Sequence, residues 1–197
     1  MILVTITKDK YFLKARQNMN NKKTLNRFLT ILDFWETELD HYDFNQLTRK
    51  EKPESWSMGQ LYQHLIDGTL RSHLQQVNQC LKSSENKKEN KNLQAFVSYF
   101  IINGFPPIKI KIQASEEYTP KQPDSVNEIK MGLRKVKQEM ERTLEKFKTD
   151  KKGKTLLPGF SYLNAEEWYR LILLHFKHHL RQKQRLDAFL NKSENDK

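Results

Sequence analysis

Apolar residues recur every three or four positions in four long stretches of the chain, which is the spacing of an amphipathic helix. The first stretch runs from Thr24 to about Tyr42, and its apolar stripe consists of Leu25, Phe28, Leu29, Leu32, Trp35 and Leu39. The second follows "SMGQ", where Ser57 and Gln60 have the spacing of a capping box, and it extends to about Lys82. Both stretches are predicted to be helices with one buried face.

The third and fourth stretches have the same organisation. The third begins after Ser125, and the fourth begins after Asn164 and runs to about Leu190. Each of these two cap residues has a glutamate three positions later, which again is the spacing of a capping box. The pattern therefore predicts four long helices without an internal repeat.

A long crossover separates the second helix from the third. "LQAFVSYFII" is typical of a short helix, whereas prolines exclude a long helix from the segment that follows. The alternation in "IKIKIQ" is interpreted as an extended segment that lies on the bundle, and a basic linker containing "LPGF" joins the third helix to the fourth. Two helix pairs with one long connection predict an all-α four-helix bundle over 24–190, a loosely ordered extension at 1–23 and a tail at 191–197.

The composition of this chain of 197 residues indicates whether it folds and whether it enters a membrane or is secreted. Apolar residues make up 37% of it and aromatic residues 11%, which indicates a folded domain. No apolar run approaches the roughly 20 residues that span a bilayer, and the first apolar stretch is too short for a signal peptide. We therefore expect a cytoplasmic protein without a membrane partner.

The formal net charge of +11 raises the possibility of nucleic-acid binding. Much of the excess lies in predicted tails and turns, and no helix-turn-helix, RNP-like or zinc-finger pattern accompanies it, so no nucleic-acid partner is predicted. Cys80 is the single cysteine, which excludes an internal disulfide and a cysteine-based zinc site. Any metal ion must therefore be bound by His, Asp or Glu.

The octapeptide "HFKHHLRQ", residues 175–182, contains three of the six histidines in the chain. His175 and His179 lie on the core side of the fourth helix, four residues apart, so their ring nitrogens can converge on one point. His178 points to the wetter face with Arg181 and Arg185 and is predicted to be exposed. Two inward histidines are also compatible with a core pair that carboxylates or waters satisfy.

A histidine on the second helix favours the metal-binding interpretation over a satisfied core pair. His64 lies on the inward line of Leu61 and Leu65, where it would meet the histidine pair across the bundle. Three neutral imidazoles leave a divalent ion its full charge and open positions, which makes it a Lewis acid. Imidazole suits zinc, nickel, copper and iron alike. His41 and His73 fit neither apolar stripe and are predicted to be surface residues.

The segment "WSMGQLYQHLIDG", residues 56–68, and the later "HFKHHLRQ" together resemble the paired motifs of the DinB/YfiT-like superfamily. Those motifs are W-[ST]-x-x-[QE] leading to a histidine, and a late HxxxH followed by Gln; the resemblance covers about residues 24–190. It implies an up-down-down-up four-helix bundle, commonly dimeric, with a divalent ion, most often zinc or nickel. The histidines that match the metal ligands of the family are His64, His175 and His179.

Some members of that superfamily resemble thiol S-transferases that act with bacillithiol or mycothiol, and others are labelled metal-dependent hydrolases. The leading hypothesis is therefore a metal-dependent thiol S-transferase that acts on small electrophiles, with a low-molecular-weight thiol as one substrate. Hydrolysis by an activated water is the alternative, and a non-enzymatic dimeric binding or stress protein is a third. No catalytic residue is assigned, because Tyr62, Asp67, Trp168 and Gln182 are equally accounted for by packing or by hydrogen bonds to the ligands.

Overall fold

Seven α-helices and one β-hairpin make up the computed structural model, which describes residues 2–89, 119–148, 152–158 and 161–195. The helices are α1 (Ile2–Leu39), α2 (Phe44–Thr48), α3 (Met58–Asp67), α4 (Leu74–Lys82), α5 (Val126–Lys146), α6 (Ala165–His178) and α7 (Leu180–Asn195). A π-helical segment, Gly68–His73, joins α3 to α4. Strands β1 (Lys154–Leu157) and β2 (Ser161–Asn164) pair antiparallel.

Four helical rods pack around one apolar core: α1, the continuous rod 58–82, α5, and α6 with α7. Helix α1 contacts α5 and α6, while α3 contacts α5 and α4 contacts α6. The predicted stripe of α1 supplies much of this core, with Phe28, Trp35 and Leu39 completely buried. The predicted all-α bundle is thus confirmed as a mostly helical fold. In the ranges that the structure describes, no helix is both long and apolar enough to traverse a bilayer.

The first and last rods run in the same direction. The ring of Phe28 lies 5.1 Å from that of Phe176, and further along both rods Tyr42 donates a hydrogen bond to Asp187. This alignment brings the end of α1 beside α7.

The boundaries of the first and last helices differ from the prediction. Helix α1 begins at Ile2 rather than Thr24, so its backbone continues through the predicted extension. The chain has no glycine or proline before Pro53, and therefore no strong helix breaker precedes Thr24. The last rod is interrupted at His179 and continues to Asn195 instead of ending near Leu190.

The β-hairpin was not predicted, because its segment was interpreted as a basic linker. Each strand is only four residues long, which is too short for a clear alternation of apolar and polar positions. The P-G dipeptide between runs of Thr, Leu and Tyr is the signal that indicates such a turn. The hairpin packs on the end of α4, where Cys80 Sγ lies 3.6 Å from Thr155 Oγ1 and 3.5 Å from the Leu163 carbonyl oxygen.

The start of α3 is closed by the predicted capping box and by the end of the crossover. Ser57 Oγ accepts from the Gln60 backbone N–H, and Gln60 Oε1 accepts from that of Ser57, both at 3.1 Å. The Gln60 amide also donates to the Pro120 carbonyl, and Gln122 bonds both Ser57 and the Thr48 carbonyl. The predicted short helix at 93–102 and the extended segment at 108–113 lie outside the described residues.

Two further caps begin α5 and α6. Asn164 and Glu167 form the complete capping box that the spacing predicts, with both bonds at 2.9 Å. Ser125 accepts from the Glu128 backbone N–H at 3.1 Å, but the Glu128 carboxylate accepts from the Asp124 N–H instead of closing the box on Ser125. All three caps therefore satisfy backbone groups that a helix start leaves unpaired.

Substitution of Gly59 by alanine should destabilise the fold. A Cβ there would lie 2.7 Å from Pro123 Cγ and 2.9 Å from the Leu47 carbonyl oxygen, neither of which can rotate away. We expect Gly59→Ala to lower the free energy of unfolding by about 1–3 kcal/mol, although alanine is intrinsically favoured in helices by about 1 kcal/mol. Urea unfolding followed by circular dichroism measures this, with the exposed Lys135→Ala on α5 as control. An unchanged midpoint for Gly59→Ala would contradict the packing.

Candidate metal centre

Three imidazole rings converge between the rod 58–82 and the last rod. His64 Nε2 lies 2.9 Å from His175 Nε2, and His179 Nε2 lies 3.1 Å from the same atom. The candidate ligand atoms of the three residues all lie within 4.8 Å of one another. The structure thus brings together the three histidines that the sequence selected, although His64 precedes His175 by 111 positions along the chain.

The spacing of these nitrogens suits a shared metal ion. Zinc binds imidazole nitrogen at about 2.0–2.1 Å, so two ligands in a tetrahedral arrangement stand roughly 3.3 Å apart. The distances of 2.9 Å and 3.1 Å between the Nε2 atoms are close to this value. An ion could therefore be bound by small adjustments of the three rings.

The three rings are also held in the protonation state that binds metals. Burial, the main cause, lowers the pKa of His64 to about 4 and that of His179 to about 3, and it lowers the pKa of His175 well below its ordinary value. At neutral pH the imidazoles are therefore neutral, and their lone pairs are available to an ion.

A hydrogen bond sets the tautomer of His179. Gln182 Oε1 lies 2.9 Å from His179 Nδ1. An amide oxygen can only accept, so His179 must carry its proton on Nδ1 and present a bare Nε2 to the cluster. Gln182, which the sequence left between packing and support of a ligand, is thereby placed as support for His179.

Local backbone structure orients the candidate ligands. His179 interrupts the helix between α6 and α7, yet its N–H donates to the His175 carbonyl at 3.2 Å, so the two rings keep the stacking of residues four apart. Trp56, the first residue of the earlier motif, packs its ring 5.0 Å from that of His64. The capping box of α3 begins directly after this tryptophan.

Two histidines outside the cluster lie where they were predicted. His41 is 66% exposed and lies 3.9 Å from Glu38, and His178 is also exposed. Both are on the surface, as the apolar stripes indicate.

The prediction that His73 is a surface residue is wrong. Its ring faces inward, with its centroid 5.0 Å from that of His175 and 6.0 Å from that of Trp168. Burial lowers its pKa to about 4. A fourth histidine therefore lies directly behind the three that converge.

The π-helical segment explains this error. In a regular α-helix, at about 100° per residue, His73 would lie roughly opposite His64. In the structure, the Leu74 N–H donates to the Thr69 carbonyl five residues back, which puts an additional residue into the turn. That residue shifts every later side chain by about one helical position, and His73 turns from the outer face toward His175. Apolar periodicity alone did not reveal the shift.

Two other residues near the stripes have structural partners. The Tyr62 hydroxyl donates to the Trp35 carbonyl at 2.9 Å, which ties α3 to α1. Asp67 pairs with Arg71 at 3.0 Å and is 46% exposed. Neither one belongs to the group of ligand atoms.

The pattern of apolar positions does not indicate one further buried polar group. Lys183, one turn after His179, is only 3% exposed and pairs with Glu38 at 2.5 Å and Asp187 at 2.9 Å. Tyr42 donates to the same Asp187. A lysine in a basic helix is ordinarily solvated, and only the packing of α1 against α7 buries this one.

Comparison with known proteins gives one family match. A model of the DinB superfamily matches residues 34–182, which is most of the chain and includes all three converging histidines. No curated protein and no solved structure matches the chain.

Removal of one converging imidazole should abolish tight metal binding. We expect the chelator-treated protein to bind about one zinc ion per chain, and His64→Ala to weaken that binding by about 100-fold or more, beyond the typical effect of losing an outer hydrogen-bond partner. Zinc titration against a competing chromophoric chelator measures both affinities. His41→Ala is the matched control, since His41 is exposed and outside the cluster. Equal affinities for wild type and His64→Ala would contradict the site.

Loss of the Gln182 amide should weaken metal binding without removing a ligand. In Gln182→Leu, the Nδ1–H of His179 has no acceptor, so the proton is free to move to Nε2 and block the lone pair. We expect zinc affinity to fall about 10- to 100-fold. The same titration on Arg181→Leu, a neighbouring exposed residue, provides the control. Affinity that is unaffected by Gln182→Leu would mean that the tautomer of His179 is set by something else.

Proposed function

The chain belongs to the DinB superfamily, and from its histidine cluster we propose that it is a metal-dependent thiol S-transferase that acts on small electrophiles. The observation that carries the proposal is the convergence of three neutral Nε2 atoms at 2.9 Å and 3.1 Å. A divalent ion, zinc or nickel, would be bound by His64, His175 and His179. When bound it supplies a Lewis acid that lowers the pKa of a thiol next to it.

The ligand chemistry supports a thiol in preference to water as the group that is activated. A free thiol has a pKa of about 8.5 and therefore needs only a small additional stabilisation of the thiolate at neutral pH. Water has a pKa of about 15.7, and its activation is commonly assisted by a carboxylate that accepts the proton. In the part of the chain that the structure describes, the candidate ligand set consists of three histidines, so a bound ion would keep its full charge toward a thiol.

The protein side chains around the cluster hold and orient the imidazoles. Gln182 keeps the proton of His179 on Nδ1, and Trp56 packs against one side of the His64 ring. His64 and His175 each keep partial solvent exposure as residues, which supports access by a small solute from one side. In this proposal the chain fixes the positions of the three nitrogen atoms, and the substrates bind on the side of the site that the histidines do not occupy.

Thiol consumption by metal-loaded protein tests this function. The zinc- and nickel-loaded proteins are incubated with bacillithiol and monochlorobimane, and conjugate formation is followed by fluorescence. We expect turnover by wild type and by His41→Ala, whereas His64→Ala should fall to the uncatalysed rate while its circular dichroism remains helical. Loss of the helical signal in His64→Ala would instead indicate a metal that stabilises the fold.

The same preparations distinguish the remaining candidates. A protein that binds zinc but forms no conjugate with bacillithiol or cysteine, and that hydrolyses ester or amide substrates, would overturn the transferase in favour of a hydrolase. A protein that binds zinc and consumes neither class of substrate would favour a non-enzymatic role.

A further inference from the structure

Three buried nitrogen atoms without hydrogen-bond partners lie behind the metal centre, on the side of His175 away from His64. They are His73 Nδ1, His175 Nδ1 and Trp168 Nε1. Buried polar groups are nearly always paired, and leaving one unpaired is costly, so three such atoms in adjacent side chains require an explanation.

His73 lies next to both of the other side chains. The ring centroid of His73 is 5.0 Å from that of His175 and 6.0 Å from that of Trp168. Gly68 borders the rings of His175 and His73: a Cβ on it would lie 3.4 Å from His175 Cε1 and 3.8 Å from His73 Cε1. Because Gly68 has no side chain, no atom from this position fills the space beside the His175 and His73 rings.

Metal binding determines where His175 carries its proton. A neutral imidazole has one N–H, and a nitrogen that binds an ion must present its lone pair. Since His175 Nε2 faces both His64 and His179, ion binding requires the His175 proton on Nδ1. The resulting Nδ1–H is a buried donor that needs an acceptor.

We propose that His73 is a positioning residue of the metal centre, which supplies that acceptor at Nδ1 through one buried water molecule. The inference rests on the proposed metal site and extends it by a fourth histidine that does not touch the ion. His73 would carry its own proton on Nε2 and would favour the tautomer of His175 that binds metal.

In the proposed arrangement, one water molecule would pair with all three orphaned atoms. It accepts from the Nδ1–H of His175 and from the Nε1–H of Trp168, and it donates one of its protons to His73 Nδ1. This gives three hydrogen bonds, the usual number for a buried water. Without the water, the two donors would compete for a single lone pair on His73.

Zinc affinity of two His73 variants tests the role. In His73→Leu no acceptor remains, and we expect affinity to fall about 10- to 100-fold, as for other partners that orient a ligand. In His73→Asn the side-chain oxygen can accept near the position of Nδ1, so affinity should lie closer to wild type than to His73→Leu. The matched control is His41→Leu, an exposed histidine whose loss should change nothing.

A measurement on the unmodified protein keeps the test independent of how the variants fold. In zinc-loaded wild type labelled with ¹⁵N-histidine, the His175 ring should show a protonated Nδ1 whose proton exchanges slowly with solvent. Thermal unfolding of the chelated proteins reports how far each variant affects the fold alone. A purely structural role for His73 would lower that unfolding temperature and leave the zinc affinities equal.

The outcomes separate this inference from the function on which it rests. Equal zinc affinity for wild type and His73→Leu, or a His175 Nδ1 without a protected proton, would overturn the role of His73 and leave the metal site intact. A wild-type protein that binds neither zinc nor nickel would overturn both. Weaker binding by His73→Leu with recovery in His73→Asn would support the proposal.

Discussion

The contact between His64 and His175 is the constraint on which the rest of this structure depends. It brings two Nε2 atoms to 2.9 Å across rods that are far apart in sequence, and His179 adds a third at 3.1 Å. Neutral imidazoles with facing lone pairs repel one another unless a proton or a cation lies between them. The bundle must therefore hold the three rings in place by contacts made elsewhere.

Contacts outside the histidine cluster position both the rod 58–82 and the last rod. The capping box at Ser57 and the hydrogen bonds of Gln122 fix the start of α3, nearly two turns before His64. On the other rod, Lys183 joins α7 to Glu38 of α1 one turn after His179. A buried ion pair adds little net stability, but it penalises alternative packings in which one charge would be left alone. The lysine network is thus suited to fixing the register of the last rod against the first.

Much of the candidate site was predictable from local pattern. Two histidines four residues apart on an apolar stripe point the same way in any regular helix, and His64 shares its stripe with Leu61 and Leu65, both completely buried. The capping boxes at Ser57 and Asn164 follow from side-chain spacing alone. These predictions hold because each depends on the helical period, which the chain carries within a few residues.

The sequence by itself thus determined the helical class, the inward faces of the main rods and the three histidines that share a side. Tertiary structure decided the inward turn of His73, the burial of Lys183 and the hairpin on α4. The physical reason is how far apart along the sequence the interacting residues lie. Helical period and capping act over three or four residues, whereas the π-helical shift at Gly68–His73 and the pairing of Lys183 with Glu38 depend on which distant surface lies opposite.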